Sequence, residues 1–115
     1  ECAMSERLVV LMTAGSRVEA EKIANALVAE MLAACVNVLP GVTSVYRWEG
    51  EVQRDQEWLL VAKSTREVLD DLVRRVQALH SYDLPEVIAL PVVGGSEAYL
   101  RWIDGEVHGG WHSLD

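Results

Sequence analysis

Between residues 80 and 86 the chain reads "HSYDLPE", which crowds His80, Ser81, Tyr82, Asp83, Pro85 and Glu86 into one short stretch. Imidazole and carboxylate donors at this spacing suit a metal ion. His80 taken with the thioether of Met12 suits copper, which accepts nitrogen and soft sulfur ligands. Asp83, Glu86, His108 and His112 are further donors of the same kinds. Zinc patterns such as paired C-x-x-C or H-E-x-x-H are absent. His80 also has an explanation without metal, because an imidazole at the end of a helix is favoured by the helix dipole.

Other chemistries find less support. Cys35 follows an alanine pair in an apolar run, where a thiol is ordinarily buried and inert. Ser16, Ser64, Ser81 and Ser96 stand where helix caps and turns need them. No G-x-S-x-G elbow is present. The loop "TAGSR" at 13–17 leads into a helix start whose free amides could hold an anion. It has neither the glycine spacing of a dinucleotide fingerprint nor a Walker lysine. No catalytic residue is therefore expected, and the chain reads as non-enzymatic. Tyr46, Trp48, Trp58, Tyr82, Tyr99 and Trp102 are of the type that anchors cores and interfaces. Trp48, Lys63, Tyr82 and Glu86 together would also wall a small-ligand cleft.

These residues must be positioned by a single domain of 115 residues, half of them hydrophobic. The net charge of −8, from 18 acidic and 10 basic residues, repels phosphate backbones. Arg66, Arg74 and Arg75 fall at helical spacing on a solvated face, so no nucleic-acid partner is expected. Apolar runs such as Leu8 to Met12 are far too short to span a membrane. The first residues are polar and acidic and show no signal peptide. Cys2 and Cys35 make no disulfide framework. The expected compartment is the cytoplasm. Residues 1–6 read as an N-terminal extension or cloning remnant, 7–105 as the domain and 106–115 as a tail.

The apolar run from Leu8 to Thr13 predicts a strand covered on both faces. Ser16 and Glu19 form a capping box, and Ala20, Ile23, Ala24, Leu27 and Met31 recur on one face, so a helix is predicted over about 17–33. Cys35 to Trp48 reads as a long strand broken by a bulge at "LPG", 39–41. Glu49-Gly50 makes a tight turn into a return strand that reaches Lys63. These strands are longer than one small domain can cover, so part of the hairpin should project. A second capping box, Ser64 with Glu67, opens a helix with an inner stripe of Leu69, Leu72, Val76 and Leu79. Val87 to Leu90 forms a fourth strand, made an edge by Pro91. Ser96 to Ile103 forms a short helix. The order is an α+β, ferredoxin-like βαββαβ sandwich with a short C-terminal helix. Two helices on one face leave the other face, rich in valine and tryptophan, to be buried in an oligomer.

Four segments, "LAACVNVLPGVTSVYRWEGEV" (32–52), "LLVAKST" (59–65), "ALHSYDLPEVIALPV" (78–92) and "YLRWI" (99–103), resemble the CutA divalent-cation-tolerance proteins in order and spacing. The resemblance covers about Leu8 to Ile103. It implies a PII-like homotrimer whose long hairpins pair sheets across subunits, linked to tolerance of divalent metals, copper in particular. It implies copper ligands at positions 12, 79 and 80, occupied here by Met12, Leu79 and His80; leucine cannot ligate. It also implies an intersubunit cleft, which by position would take in Trp48, Lys63, Tyr82, Pro85, Glu86, Tyr99 and Trp102. Expected partners are two further copies of the chain and a divalent cation or small molecule, with copper weakly bound and no cofactor required. Two rival functions remain open: a small-ligand sensor using that cleft, and a structural trimer that docks a partner protein.

Overall fold

A computed structural model describes residues 6–108. In it the apolar run folds as β1 (Arg7–Ala14), followed by α1 (Arg17–Ala29), β2 (Cys35–Trp48) and β3 (Glu51–Thr65). A single 3-10 turn, Arg66–Val68, leads into α2 (Leu69–Leu79), and β4 (Val87–Pro91) and α3 (Glu97–Glu106) complete the domain. All strands pair antiparallel in the order β2-β3-β1-β4, the split βαβ topology.

Directly paired residues share a face of the sheet, so parity along each strand sorts the side chains. Leu8, Val10 and Met12 of β1 face the same side as their partners Ser64, Ala62 and Leu60 of β3, and all six are buried. Against them pack Ala20, Ile23, Ala24 and Leu27 of α1, with Leu72 and Val76 of α2. The opposite face carries Leu11, Leu39, Leu59, Val61, Ile88 and Leu90, and among these Leu39, Ile88 and Leu90 are 42–52% exposed. Only its end is closed. There Arg7 donates to both carboxylate oxygens of Asp104 on α3, at 2.9 and 2.5 Å, and Tyr99 meets Cys35 at 3.5 Å.

The hairpin turns on two residues, Glu49 (φ 51°) and Gly50 (φ 82°), whose paired left-handed backbone matches the twist of the flanking strands. The expected break at 39–41 is a bulge. Leu39 pairs with Leu59 and Val42 with Glu57, so Pro40 and Gly41 together oppose Trp58, with Gly41 at φ 78°.

Three local expectations are corrected. First, α1 stops at Ala29 rather than near residue 33. Met31 adopts φ 62°, and the amides of Met31 and Leu32 return to the carbonyls of Val28 and Leu27, a helix stop usually signalled by glycine. Periodicity overshoots because Met31 mimics the apolar stripe, although it is exposed. Second, Ser64 caps no helix. It is the penultimate residue of β3, fully buried, and donates to the carbonyl of Leu32 at 2.6 Å. Third, the reciprocal arm of the Ser16 box is missing. Ser16 accepts from the Glu19 amide at 3.2 Å, but the Glu19 carboxylate accepts from the amide and hydroxyl of Ser81 instead. Past α3, Val107 is buried and the His108 amide donates to Met31, while residues 109–115, including His112, lie outside the described residues.

Ser64 and its neighbour Thr65 make a matched test, since Thr65 is buried with a hydroxyl oxygen that has no hydrogen-bond partner. Ser64→Ala strands the Leu32 carbonyl and should cost about 1–3 kcal/mol. Thr65→Val removes an unsatisfied hydroxyl at constant shape and should leave stability unchanged or raise it by about 1 kcal/mol. Urea midpoints of the two variants give the comparison.

Candidate functional site

β1 ends at Ala14, opposite Trp58, while β3 begins at Glu51. From Glu51 to Glu57, β3 therefore has a partner only on the β2 side, and the root of the hairpin is left open. The loop after α2 fills this gap. A cleft of about 650 Å³ lies between hairpin and loop. Tyr46, Trp48, Asp55 and Glu57 form one side of it, and Tyr82 and Glu86 stand on the other.

His80 is the hinge of that loop. Its backbone leaves α2 in extended conformation, and its side chain is wholly buried. Nε2 lies 2.7 Å from the carbonyl of Thr13, and Nδ1 accepts the amide of Tyr82 at 3.1 Å. A neutral ring protonated at Nε2 satisfies both contacts at once. Glu19 approaches Nδ1 at 3.9 Å while held by Ser81. The His80 and Tyr82 rings pack at 4.6 Å, tilted by 49°.

Tyr82 then reaches across the open edge and donates its hydroxyl to Glu57 Oε2 at 2.8 Å. Glu57 is only 8% exposed, so this bond answers a buried carboxylate. The hydroxyl is sequestered and the carboxylate strengthens the protonated form, and both push the Tyr82 phenol above the ordinary tyrosine range. Tyr46 donates to Asp55 in the same way across the hairpin, and that bond raises its phenol too. Gly15 completes the wall: a Cβ built there would lie 2.9 Å from the Tyr82 hydroxyl.

Of the cleft residues expected from the sequence, Trp48, Tyr82 and Glu86 come together here. Lys63, Tyr99 and Trp102 gather elsewhere in the chain, at the closed end of the opposite face. The Lys63 ammonium donates to Asn37, and Tyr99 packs on Trp102 at 5.3 Å. Pro85 is half-buried between Leu84 and Glu86 and does not line the cavity. Met12 is fully buried on the helix-facing side of β1. The His108 ring contacts the carbonyl of Gly105. Among the described residues, no three His, Cys, Asp or Glu side chains converge to hold a metal ion.

Sequence reasoning missed Gly15, Tyr46, Asp55 and Glu57. The Tyr46–Asp55 pair was available once the Glu49-Gly50 turn set the register, because Asp55 faces Ser44 and Tyr46 is its diagonal neighbour. No local signal marks Glu57 or Gly15; their partner is 25 or more residues away and is supplied by the tertiary fold.

Tyr82→Phe leaves Glu57 without its donor and should cost about 1 kcal/mol. Gly15→Ala should cost a similar amount by pushing the hydroxyl off Glu57. The double variant should then lose little more than either single one, a coupling read from a double-mutant cycle. The phenol is raised in the folded state, so its contribution is complete below pH ~10 and is lost as pH climbs above that value. Wild type should therefore lose stability more steeply than Tyr82→Phe as pH rises above ~10, seen as urea midpoints against pH.

The sequence profile of the CutA1 divalent ion tolerance proteins matches residues 8–106. The divalent-cation tolerance protein CutA of Thermus thermophilus is 54% identical over 95 residues, 83% of this chain and 92% of that protein. A chloroplastic CutA of Arabidopsis thaliana is 52% identical over 96 residues, 84% of this chain. The matched region spans about half the length of that plant relative, 53%. A solved structure of a divalent cation tolerance protein from Thermus thermophilus superposes with a TM-score of 0.88 at 50% identity, covering 89% of this chain and 99% of that one. Among the described residues no helix is long and apolar enough to cross a membrane. Matched from Leu8 to Glu106, the chain belongs to the CutA1 divalent ion tolerance family.

Proposed function

We propose that the chain acts as a cytoplasmic, non-catalytic homotrimer that responds to divalent cations through the cleft at the hairpin root. The observation that carries this reading is the charge of the cleft. Asp55, Glu57, Asp83 and Glu86 line it against a single guanidinium, that of Arg47. A cleft walled by one sign of charge concentrates ions of the other sign, and the chain's net charge of −8 reinforces the effect. Carboxylate oxygens suit hard divalent ions better than copper. Asp55 and Glu57 already accept tyrosine hydroxyls, and among the described residues no chelating cluster is preformed. The attraction is therefore collective and weak, and it diminishes with salt. The family name of the relatives, divalent-cation tolerance, supports the same class of ligand.

The apolar half of the cleft favours a second reading, a small organic ligand. Trp48, Val45 and Leu84 offer it contact area, and about 650 Å³ falls within the range of about 300–1,000 Å³ usual for such sites. Titration of manganese into wild type at low ionic strength should give saturable heat that is largely lost in Asp55→Asn/Glu86→Gln. Heat that survives the double substitution would overturn the cleft assignment. Thermal stabilisation by an organic metabolite, with no response to manganese, would move the function to the second reading.

The trimer rests on the uncovered sheet face and on the projecting hairpin, whose edge strand β2 has partners only in β3. Light scattering at micromolar concentration should give three times the chain mass. Ile88→Glu places a charge on the β4 edge of that face and should shift the population toward monomer.

A further inference from the structure

We infer that His80 is a positioning residue for the cleft wall and not a metal ligand: as the Nε2–H tautomer it holds the Thr13 carbonyl and the Tyr82 amide, and so sets Tyr82 on Glu57. A metal ion binds a ring nitrogen through its lone pair. The Nδ1 lone pair is occupied by the Tyr82 amide at 3.1 Å, and Nε2 points its proton at the Thr13 carbonyl at 2.7 Å. The alternative tautomer would oppose two lone pairs at Thr13 and two N–H groups at Tyr82, turning both contacts repulsive at once. The side chain is wholly buried, so losing either bond strands a polar group away from water. The remaining donors do not compensate. Position 79 is leucine, and Met12 is enclosed among core side chains on the helix-facing side of β1.

What the ring does instead follows from where its partners lie. Thr13 is next to the last residue of β1, where the sheet stops short of the hairpin. The bond from Nδ1 to the amide two residues on closes a side-chain turn of the kind asparagine makes. That turn reverses the chain after α2 and directs Tyr82 toward Glu57, 25 residues away in sequence. Glu19 braces the same turn from α1 through Ser81. The resulting relay runs from the end of β1, through His80 and Tyr82, to the hairpin root.

The test uses the full chain. Long-range imidazole ¹⁵N spectra at neutral pH should show His80 protonated at Nε2 and bare at Nδ1. One equivalent of copper(I), which is diamagnetic and shifts a ring nitrogen only by ligating it, should leave both ¹⁵N resonances in place. His80→Ala should speed exchange of the Tyr82 amide about fivefold, the equivalent of one lost hydrogen bond. His80→Asn, which keeps an acceptor at the Nδ1 position, should restore most of the protection. A proton on Nδ1, a copper(I)-induced shift of either ring nitrogen of His80, or unchanged Tyr82 exchange in His80→Ala would each overturn the inference. The first two readings need no variant and stand even if His80→Ala does not fold. Failure of manganese to bind the cleft bears only on the ligand, since none of these measurements depends on manganese.

Discussion

The difference in length between two neighbouring strands shapes everything else in this molecule. β3 runs for fifteen residues and β1 for eight, so the sheet loses its third strand halfway along the hairpin. A two-stranded ribbon is marginal in water, and its backbone edges and side chains demand partners. The chain answers locally with the loop from His80 to Glu86, which turns back over the open root. It leaves the far half of the ribbon exposed, with Val45 59% and Val52 66% solvent-facing. The molecule's 51 Å long axis against 34 and 25 Å reflects this overhang.

Glu57 shows how local the repair is. Its neighbours Leu59 and Val61 on the same face belong to the sheet proper, flanked by Thr13 and Leu11 of β1 on one side and by Leu39 and Asn37 of β2 on the other. One step past the end of β1 the same face would offer a carboxylate to an apolar edge. Tyr82 supplies both the ring that covers it and the hydroxyl that satisfies it. A histidine fixed by two backbone groups gives that tyrosine its direction, and a glycine leaves room for its oxygen. Each member would be ordinary alone; the buried carboxylate ties them together.

How much of this is legible in the sequence depends on how far each signal reaches along the chain. The hairpin turn, the bulge and, apart from Met31, the helix faces follow from residues within a few positions of one another, and there expectation and structure agree. They agree on the family too, because whole segments match in order. The expected Ser64 cap fails for the opposite reason: Ser-x-x-Glu reads identically whether the serine begins a helix or ends a strand. The Leu32 carbonyl makes the choice, brought there by a helix stop that itself carries no glycine. The grouping of Lys63, Tyr99 and Trp102 away from Trp48 and Tyr82 likewise depends on where α3 docks, which no spacing encodes.

The cleft and the uncovered sheet face are not separate surfaces. Pairing places Tyr46, Trp48, Asp55 and Glu57 on the same face of the hairpin as Leu39, Leu59 and Val61 on the sheet, with the bulge at Pro40-Gly41 keeping the parity across the kink. Had β2 continued without its extra residue, Ser44 and Tyr46 would turn to the other side, and Asp55 would lose its aromatic donor. The bulge therefore does two things at once: it bends the ribbon and it keeps the polar cleft continuous with the apolar face. Along β3 the same row of side chains passes from Val61 and Leu59 on the apolar face to Glu57 and Asp55 in the cleft. Burial on one half and charge on the other are thus linked through a single register.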